Sequence, residues 1–344
     1  MGFLSDHLVS AWYRGAGWLR LLAPLEWLYR TAVARRTRAY ANGNKATWRA
    51  PVPVIVVGNL TVGGTGKSPL VAWLVRWLGE CGYRPGILSR GYGGRSPDYP
   101  LLVRADMSVA ECGDEPLMLA TQTGVPVVVD PQRVRGAKRL LEEGCDVLVA
   151  DDGLQHLALG RDIELVVVDG ARGFGNRRCL PAGPLREPLS RLRSSDALVV
   201  NGEPASAMPA TYHTMELIPR HWRHLEDGAL LPLTPIPFEG AVHAVAGIGN
   251  PERFFRTLKR LGLDVIAHPF PDHHRFQAQE LNFDDTGAIV MTAKDAVKCR
   301  HLADTRCWAL DVEAQPEPGF VAWLSSRLAL LAQHEPLDSP SFRE

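Results

Sequence analysis

The chain has 344 residues, 46% of them hydrophobic, which is enough to bury a large core and to divide into two domains, and which excludes a disordered or fibrous chain. Lysine plus arginine equals aspartate plus glutamate at 38 each, so no global field calls for nucleic acid or a strongly acidic partner. Six cysteines (Cys81, Cys112, Cys145, Cys179, Cys299, Cys307) form no CxxC pair and no metal-ligand spacing, and no run approaches the roughly 18–20 apolar residues of a membrane span; a reducing, cytoplasmic setting is expected.

In residues 1–45, Trp12, Trp18, Trp27 and Tyr29 alternate with Arg14, Arg20, Arg30, Arg35, Arg36 and Arg38, opposed only by Asp6 and Glu26. Rings and guanidinium groups mixed in this way suit a helix in an anionic lipid headgroup layer, and an amphipathic helix packed on the protein's own core is the other reading. Pro24 is expected to break or kink it.

Residues 46–210 are expected to form the main domain. Apolar runs at 54–57, 125–129, 147–149 and 165–168 read as strands of a parallel sheet covered on both faces, with helices at 67–81 and 134–143 between them. Residues 58–68 (GNLTVGGTGKS) lie between the first strand and the first helix, which is the setting of a P-loop. Loop residues Thr61, Val62, Gly63, Gly64, Thr65 and Gly66 would wrap phosphate, Lys67 would neutralise its charge, and the Ser68 hydroxyl would ligate Mg2+. The usual GxxxxGK[ST] pattern asks for glycine where Thr61 stands, so the wrap of the loop is open. A second strand runs out into Asp151 and Asp152, where a P-loop enzyme keeps its metal carboxylate; Asp151 is the first choice, and a polar Asp-Gly turn is the plain alternative. Asp114 opens a helix, as a general base or as an N-cap. His273 and His274 follow Asp272 in a segment that could form a dyad with Asp114 or bind metal, although an isolated pair of histidines does not make a zinc site, and a surface loop is the plain alternative.

Residues 211–312 read as a smaller α/β unit flanked by strands at 211–218 and 306–312 that cross between domains. Inside it lie a strand at 242–246, a Gly-Ile-Gly-Asn turn and a helix opened by Pro251; the turn is either a phosphate loop or a simple βα connection. Residues 313–344 are expected to return a helix to the main domain and to end, from His334, in a poorly ordered tail. The fold class is therefore α/β, a P-loop NTPase-like parallel sheet with a second, smaller α/β domain on a two-stranded linker.

Eight segments occur in one order: GNLTVGGTGKSP, LSRGYGG (88–94), GDEP (113–116), DDGLQH (151–156), PAGPLREP (181–188), AGIGNP (246–251), FPDHHRF (270–276) and TAKD (292–295). With them the chain resembles the tetraacyldisaccharide 4′-kinases of lipid A biosynthesis. The resemblance implies a peripheral enzyme on the cytoplasmic face of the inner membrane, which moves the γ-phosphate of ATP, with Mg2+, to the 4′-hydroxyl of a lipid-borne disaccharide 1-phosphate. It further implies that Asp114 is the base, paired with His273 or His274, and that Arg186 meets phosphate or acceptor. Its partners would be that lipid and an anionic membrane surface, with neither nucleic acid nor an obligate protein partner. A P-loop switch or ATPase is the competing class, but TAKD does not spell the NKxD guanine-recognition pattern. A soluble small-molecule kinase is the nearer alternative.

Overall fold

Thirteen strands join into one sheet in the computed structural model, which describes the backbone of residues 2–333 and the side chains of 7–331. The tail from His334 and the side chain of Asp6 lie outside the described residues. The strands are β1 (Val54–Gly58), β2 (Pro85–Ser89), β3 (Leu101–Leu102), β4 (Val127–Val129), β5 (Val147–Asp151), β6 (Ile163–Asp169), β7 (Ala197–Asn201), β8 (His213–His224), β9 (Leu230–Pro232), β10 (Val242–Ala246), β11 (Val265–Pro269), β12 (Ile289–Thr292) and β13 (Cys307–Pro316). The helices are α1 (Gly2–Arg14), α2 (Ala23–Ala41), α3 (Lys67–Glu80), α4 (Val109–Cys112), α5 (Asp114–Thr123), α6 (Arg133–Glu142), α7 (Pro251–Arg260), α8 (Ala293–Cys299) and α9 (Pro318–Gln333).

Along the sheet the order is β11-β10-β12-β13-β8-β7-β6-β1-β5-β2-β4-β3, with β9 attached to β8. Strands β1, β2 and β4 to β7 pair in parallel, and so do β10 to β13; the seam between the two sets is the antiparallel pair β8/β13. That seam is the two-stranded linker, and it makes one sheet of two α/β lobes. Strand β1 is buried throughout, because Ile55 and Val57 face one apolar core and Val54 and Val56 the other. Helix α3 covers the first core with Leu70, Leu74 and Leu78, and α9 returns across the linker to add Phe320, Leu324 and Leu328 to it. Covering both faces this way requires the continuous β-branched runs seen in the sequence.

Pro24 lies in the first turn of α2, where its missing N–H costs nothing, so it opens a helix after a 3-10 turn at Gly17–Leu22. One side of this N-terminal segment belongs to the core. Trp12 is buried and donates its indole N–H to the Pro181 carbonyl at 3.0 Å, and the buried Glu26 accepts from Arg178 at 2.7 Å and from the Cys179 amide at 2.9 Å. Another side is bare: Trp18, Leu21, Leu25, Trp27 and Leu28 are half of the ten exposed large hydrophobic residues among those described, with Leu21 81% and Trp27 66% exposed. Arg14, Arg20, Arg30, Arg35, Arg36 and Arg38 are exposed around them. The core-packing reading therefore holds for one face, and the other face is left exposed with its arginines. Among the described residues no helix is long and apolar enough to cross a membrane.

Candidate active site

The loop between β1 and α3 is pinned before it reaches Lys67. Thr61 bridges to Leu185, Val62 donates its amide to the Pro184 carbonyl at 2.9 Å, and Arg186 donates its own to Leu60 at 2.7 Å, so residues 184–186 clamp the start of the loop. Further on, Gly66 adopts φ +94°, and a Cβ there would come within 2.3 Å of the Asn201 side chain, whose amide holds the Thr65 carbonyl at 3.0 Å. Only glycine fits that turn. Gly64, Thr65, Gly66, Lys67 and Ser68 line a cavity of about 620 Å³, whereas Thr61 and Val62 stand behind it with their backbones paired to residues 184 and 185. The structure thus brings Gly64 to Ser68 together in front and does not bring Thr61 and Val62 to the cavity.

At the end of β5 the two carboxylates differ. Asp152 has the left-handed φ of +50°, a backbone strain found among the described non-glycine residues only at Asp152, Arg177 and His273. Its carboxylate meets Arg186 at 2.8 Å and Lys67 at 3.8 Å. Burial pushes its pKa up, but Lys67 and Arg186 outweigh that and hold it near 2. Asp151 is buried, and neither of its oxygens receives a hydrogen bond from the protein. Burial raises its pKa, the Glu115 charge adds to the rise, and Lys67 opposes it. A carboxylate so placed, at the end of a strand paired with β1 and without a hydrogen-bond partner, fits a cation as its partner. Among the described residues there is no group of three or more His, Cys, Asp or Glu that could hold a metal ion.

Asp114 is not the N-cap of α5. Gly113, at φ +91°, takes that position, and Asp114 is the first helical residue. Its Oδ1 accepts the Glu115 amide at 2.9 Å, and its Oδ2 lies 2.9 Å from Nδ1 of His273. Burial would raise the Asp114 pKa, but the His273 hydrogen bond and the Lys294 charge bring it down to about 2. For His273 burial lowers the pKa, yet the bond to Asp114 leaves it raised. Of the two histidines, the strained φ of +59° turns His273 toward Asp114, while His274 bonds Glu280 at 2.9 Å and packs between Phe270 and Phe276.

The Gly-Ile-Gly-Asn turn is more than a connection within the smaller lobe. A Cβ on Gly249 would meet the Gly64 amide at 2.4 Å, so the turn rests directly on the P-loop, and Ile248, Gly249 and Asn250 line its cavity. Asn250 donates to Asp169 at 3.0 Å and Arg253 pairs with it at 2.7 Å. Asp169 and Asn201 each end an apolar strand run as Asp151 does, and that position is the sequence signal that marks them.

The model of the family described as tetraacyldisaccharide-1-P 4′-kinase matches residues 18–329. Relatives named tetraacyldisaccharide 4′-kinase are 50% identical to this chain. That of Pseudomonas aeruginosa (strain LESB58) aligns over 94% of this chain and 97% of its own length, and that of Ectopseudomonas mendocina (strain ymp) over 95% and 98%. A crystal structure of LpxK from Aquifex aeolicus in complex with ATP is similar at a TM-score of 0.76 and 30% identity, covering 91% of this chain and 99% of that one.

Proposed function

We propose a division of labour among the residues of an enzyme whose family is established, since the chain belongs to the tetraacyldisaccharide-1-P 4′-kinases. It is an ATP-dependent kinase of lipid A biosynthesis that phosphorylates the 4′-hydroxyl of the lipid disaccharide 1-phosphate. In our reading Gly64 to Ser68 cradle the ATP phosphates, and Lys67 and Arg186 neutralise the charge that spreads over the transferring group. Ser68 and Asp151 would hold Mg2+, with Asp152 fixing Lys67 and Arg186 beside it. The ion would supply further neutralisation of the phosphate oxygens. Asp114 takes the proton of the acceptor hydroxyl while that oxygen bonds to the γ-phosphorus and the bond to ADP breaks; His273 orients the carboxylate.

The observation that carries this assignment is the Asp114–His273 pair, 2.9 Å apart and drawn from two lobes. Its test is transfer of labelled γ-phosphate from ATP to the disaccharide 1-phosphate lipid by Asp114→Asn protein. A bisphosphorylated product at the wild-type rate would sink the assignment.

We further read residues 46–210 as the kinase lobe and 211–312 as the smaller lobe with its linker strands, the N-terminal segment and the C-terminal helix both packing on the former. The exposed Trp18, Leu21, Leu25, Trp27 and Leu28, ringed by arginines, support peripheral docking on the anionic cytoplasmic face of the inner membrane, where the lipid acceptor would be met.

A further inference from the structure

Lys294 is the second residue of α8, and the turn that carries it is tightly built. Thr292 caps the helix by accepting the Asp295 amide at 3.1 Å. The buried Asp295 carboxylate in turn accepts from the Thr292 hydroxyl at 2.6 Å and the Gly247 amide at 3.1 Å, and it pairs with Lys298 at 2.6 Å. This anchoring aims Lys294 across the gap between the lobes. Its ammonium lies 3.1 Å from Glu115 on α5 of the kinase lobe, 3.1 Å from Asp272 in the loop after β11 of the smaller lobe, and 3.8 Å from Oδ2 of Asp114. The same side chain lines the P-loop cavity. Three carboxylates thus converge on one half-buried ammonium, and two of the three, Asp114 and Asp272, are also contacted by His273.

We propose that Lys294 is a positioning residue for phosphoryl transfer, its ammonium tying the Asp114–Glu115 turn of one lobe to the Asp272–His273 loop of the other and so setting the register of the Asp114–His273 pair. The proposal rests on the reading of Asp114 as base. Without the ammonium, Glu115 and Asp272 repel each other across the lobe gap, and Asp114 loses the cation that favours its charged form. The groups around Asp114 are then His273 from the loop, itself against Asp272, Lys298 from α8, Glu115 on its own helix and Cys112 in the preceding turn. An opposite charge at about 4 Å lowers a carboxyl pKa by roughly 1–3 units, so its removal moves the acid limb upward by a measurable amount.

The experiment measures kcat, KM for ATP and the pH profile of kcat for the full-length wild-type, Lys294→Met, Lys294→Arg, Asp272→Asn and Asp114→Asn proteins. Lys294→Met is expected to lower kcat by roughly 10- to 100-fold with KM for ATP within about threefold, and to move the acid limb up by about 1 pH unit or more. Lys294→Arg keeps the charge, so the acid limb stays in place while kcat recovers in part. A folded Lys294→Met protein with unchanged kcat and acid limb overturns the proposal, and so does a loss confined to KM for ATP, which would mark a phosphate ligand instead. If Lys294→Met does not fold, Asp272→Asn decides: it leaves the ammonium in place but unties it from the smaller lobe, and a wild-type kcat there overturns the proposal. An inactive Asp114→Asn protein beside a normal Lys294→Met one removes the positioning role alone, whereas an active Asp114→Asn protein removes the base and the proposal together.

Discussion

Replacing Asp114 by asparagine keeps the side chain's shape and its Oδ1 acceptor for the Glu115 amide while removing the charge and the capacity to take a proton. Two magnitudes follow from its surroundings. Asp114 is 3% exposed, and its pKa falls from an ordinary 3.8 to about 2 against the opposing effect of burial, which corresponds to about 2 kcal/mol of folding stability. Because the folded-state pKa is the lower one, this contribution is present above pH 4 and is lost as pH falls from about 4 to about 2. Asp114→Asn should therefore unfold with about 2 kcal/mol less stability than wild type near neutral pH, and the gap should narrow in acid. Turnover should fall further than stability does, by roughly 10²- to 10⁴-fold, the usual worth of a positioned base. Urea melts at pH 7.5 and below pH 4, together with single-turnover phosphate transfer, separate the two effects. If His273 acts with Asp114 as a unit, the Asp114→Asn/His273→Ala protein is scarcely slower than the worse single variant. Losses that multiply, or a folded Asp114→Asn protein within tenfold of wild-type turnover, would refute the reasoning.

Lys67→Ala should reduce turnover by about 10²- to 10³-fold or more, measured in the same assay, because it removes a preorganised charge beside the transferring group. Asp151→Asn should abolish the dependence of turnover on Mg2+ between micromolar and millimolar metal, leaving only a low residual rate; an unchanged metal titration would contradict its assignment as ligand. Trp27→Ser with Leu28→Ser should weaken sedimentation with anionic vesicles and slow turnover of vesicle-borne acceptor while sparing ATP binding and Tm, since both side chains are exposed; equal vesicle binding would defeat the docking idea. Deleting the whole segment is a poorer test, because Trp12 and Glu26 belong to the core.

What the sequence discloses about this molecule is local. Buried parallel strands such as β1, β5 and β6 must be apolar on both faces, so they stand out as β-branched runs, and the P-loop is recognisable because it sits between such a strand and an amphipathic helix. Strand β8 is harder to read. Its expected end at residue 218 precedes Pro219, yet the strand continues to His224, because Pro219 stands opposite Val312 where the ladder is irregular and no N–H is required. Strand β2 hides for a similar reason, carrying Pro85 and Gly86.

Which of the two histidines meets Asp114 could not be read from local pattern, for a different reason. Asp114 and His273 are separated by 159 residues, and their meeting depends on how the β8/β13 seam sets one lobe against the other. No local pattern encodes that angle. What the sequence does hold is the means of fixing it, since Asn250 and Arg253 are spent on Asp169, Gly249 on the P-loop backbone and Lys294 on Glu115 and Asp272. The contacts with Asp169, Gly64 and Glu115 join the smaller lobe to a strand end, the P-loop and a helix start of the other lobe, while the Lys294–Asp272 contact ties the loop after β11 to the same ammonium. On the proposed assignment the Gly-Ile-Gly-Asn turn and TAKD would belong to the catalytic geometry together with the P-loop, although neither would carry a group that reacts.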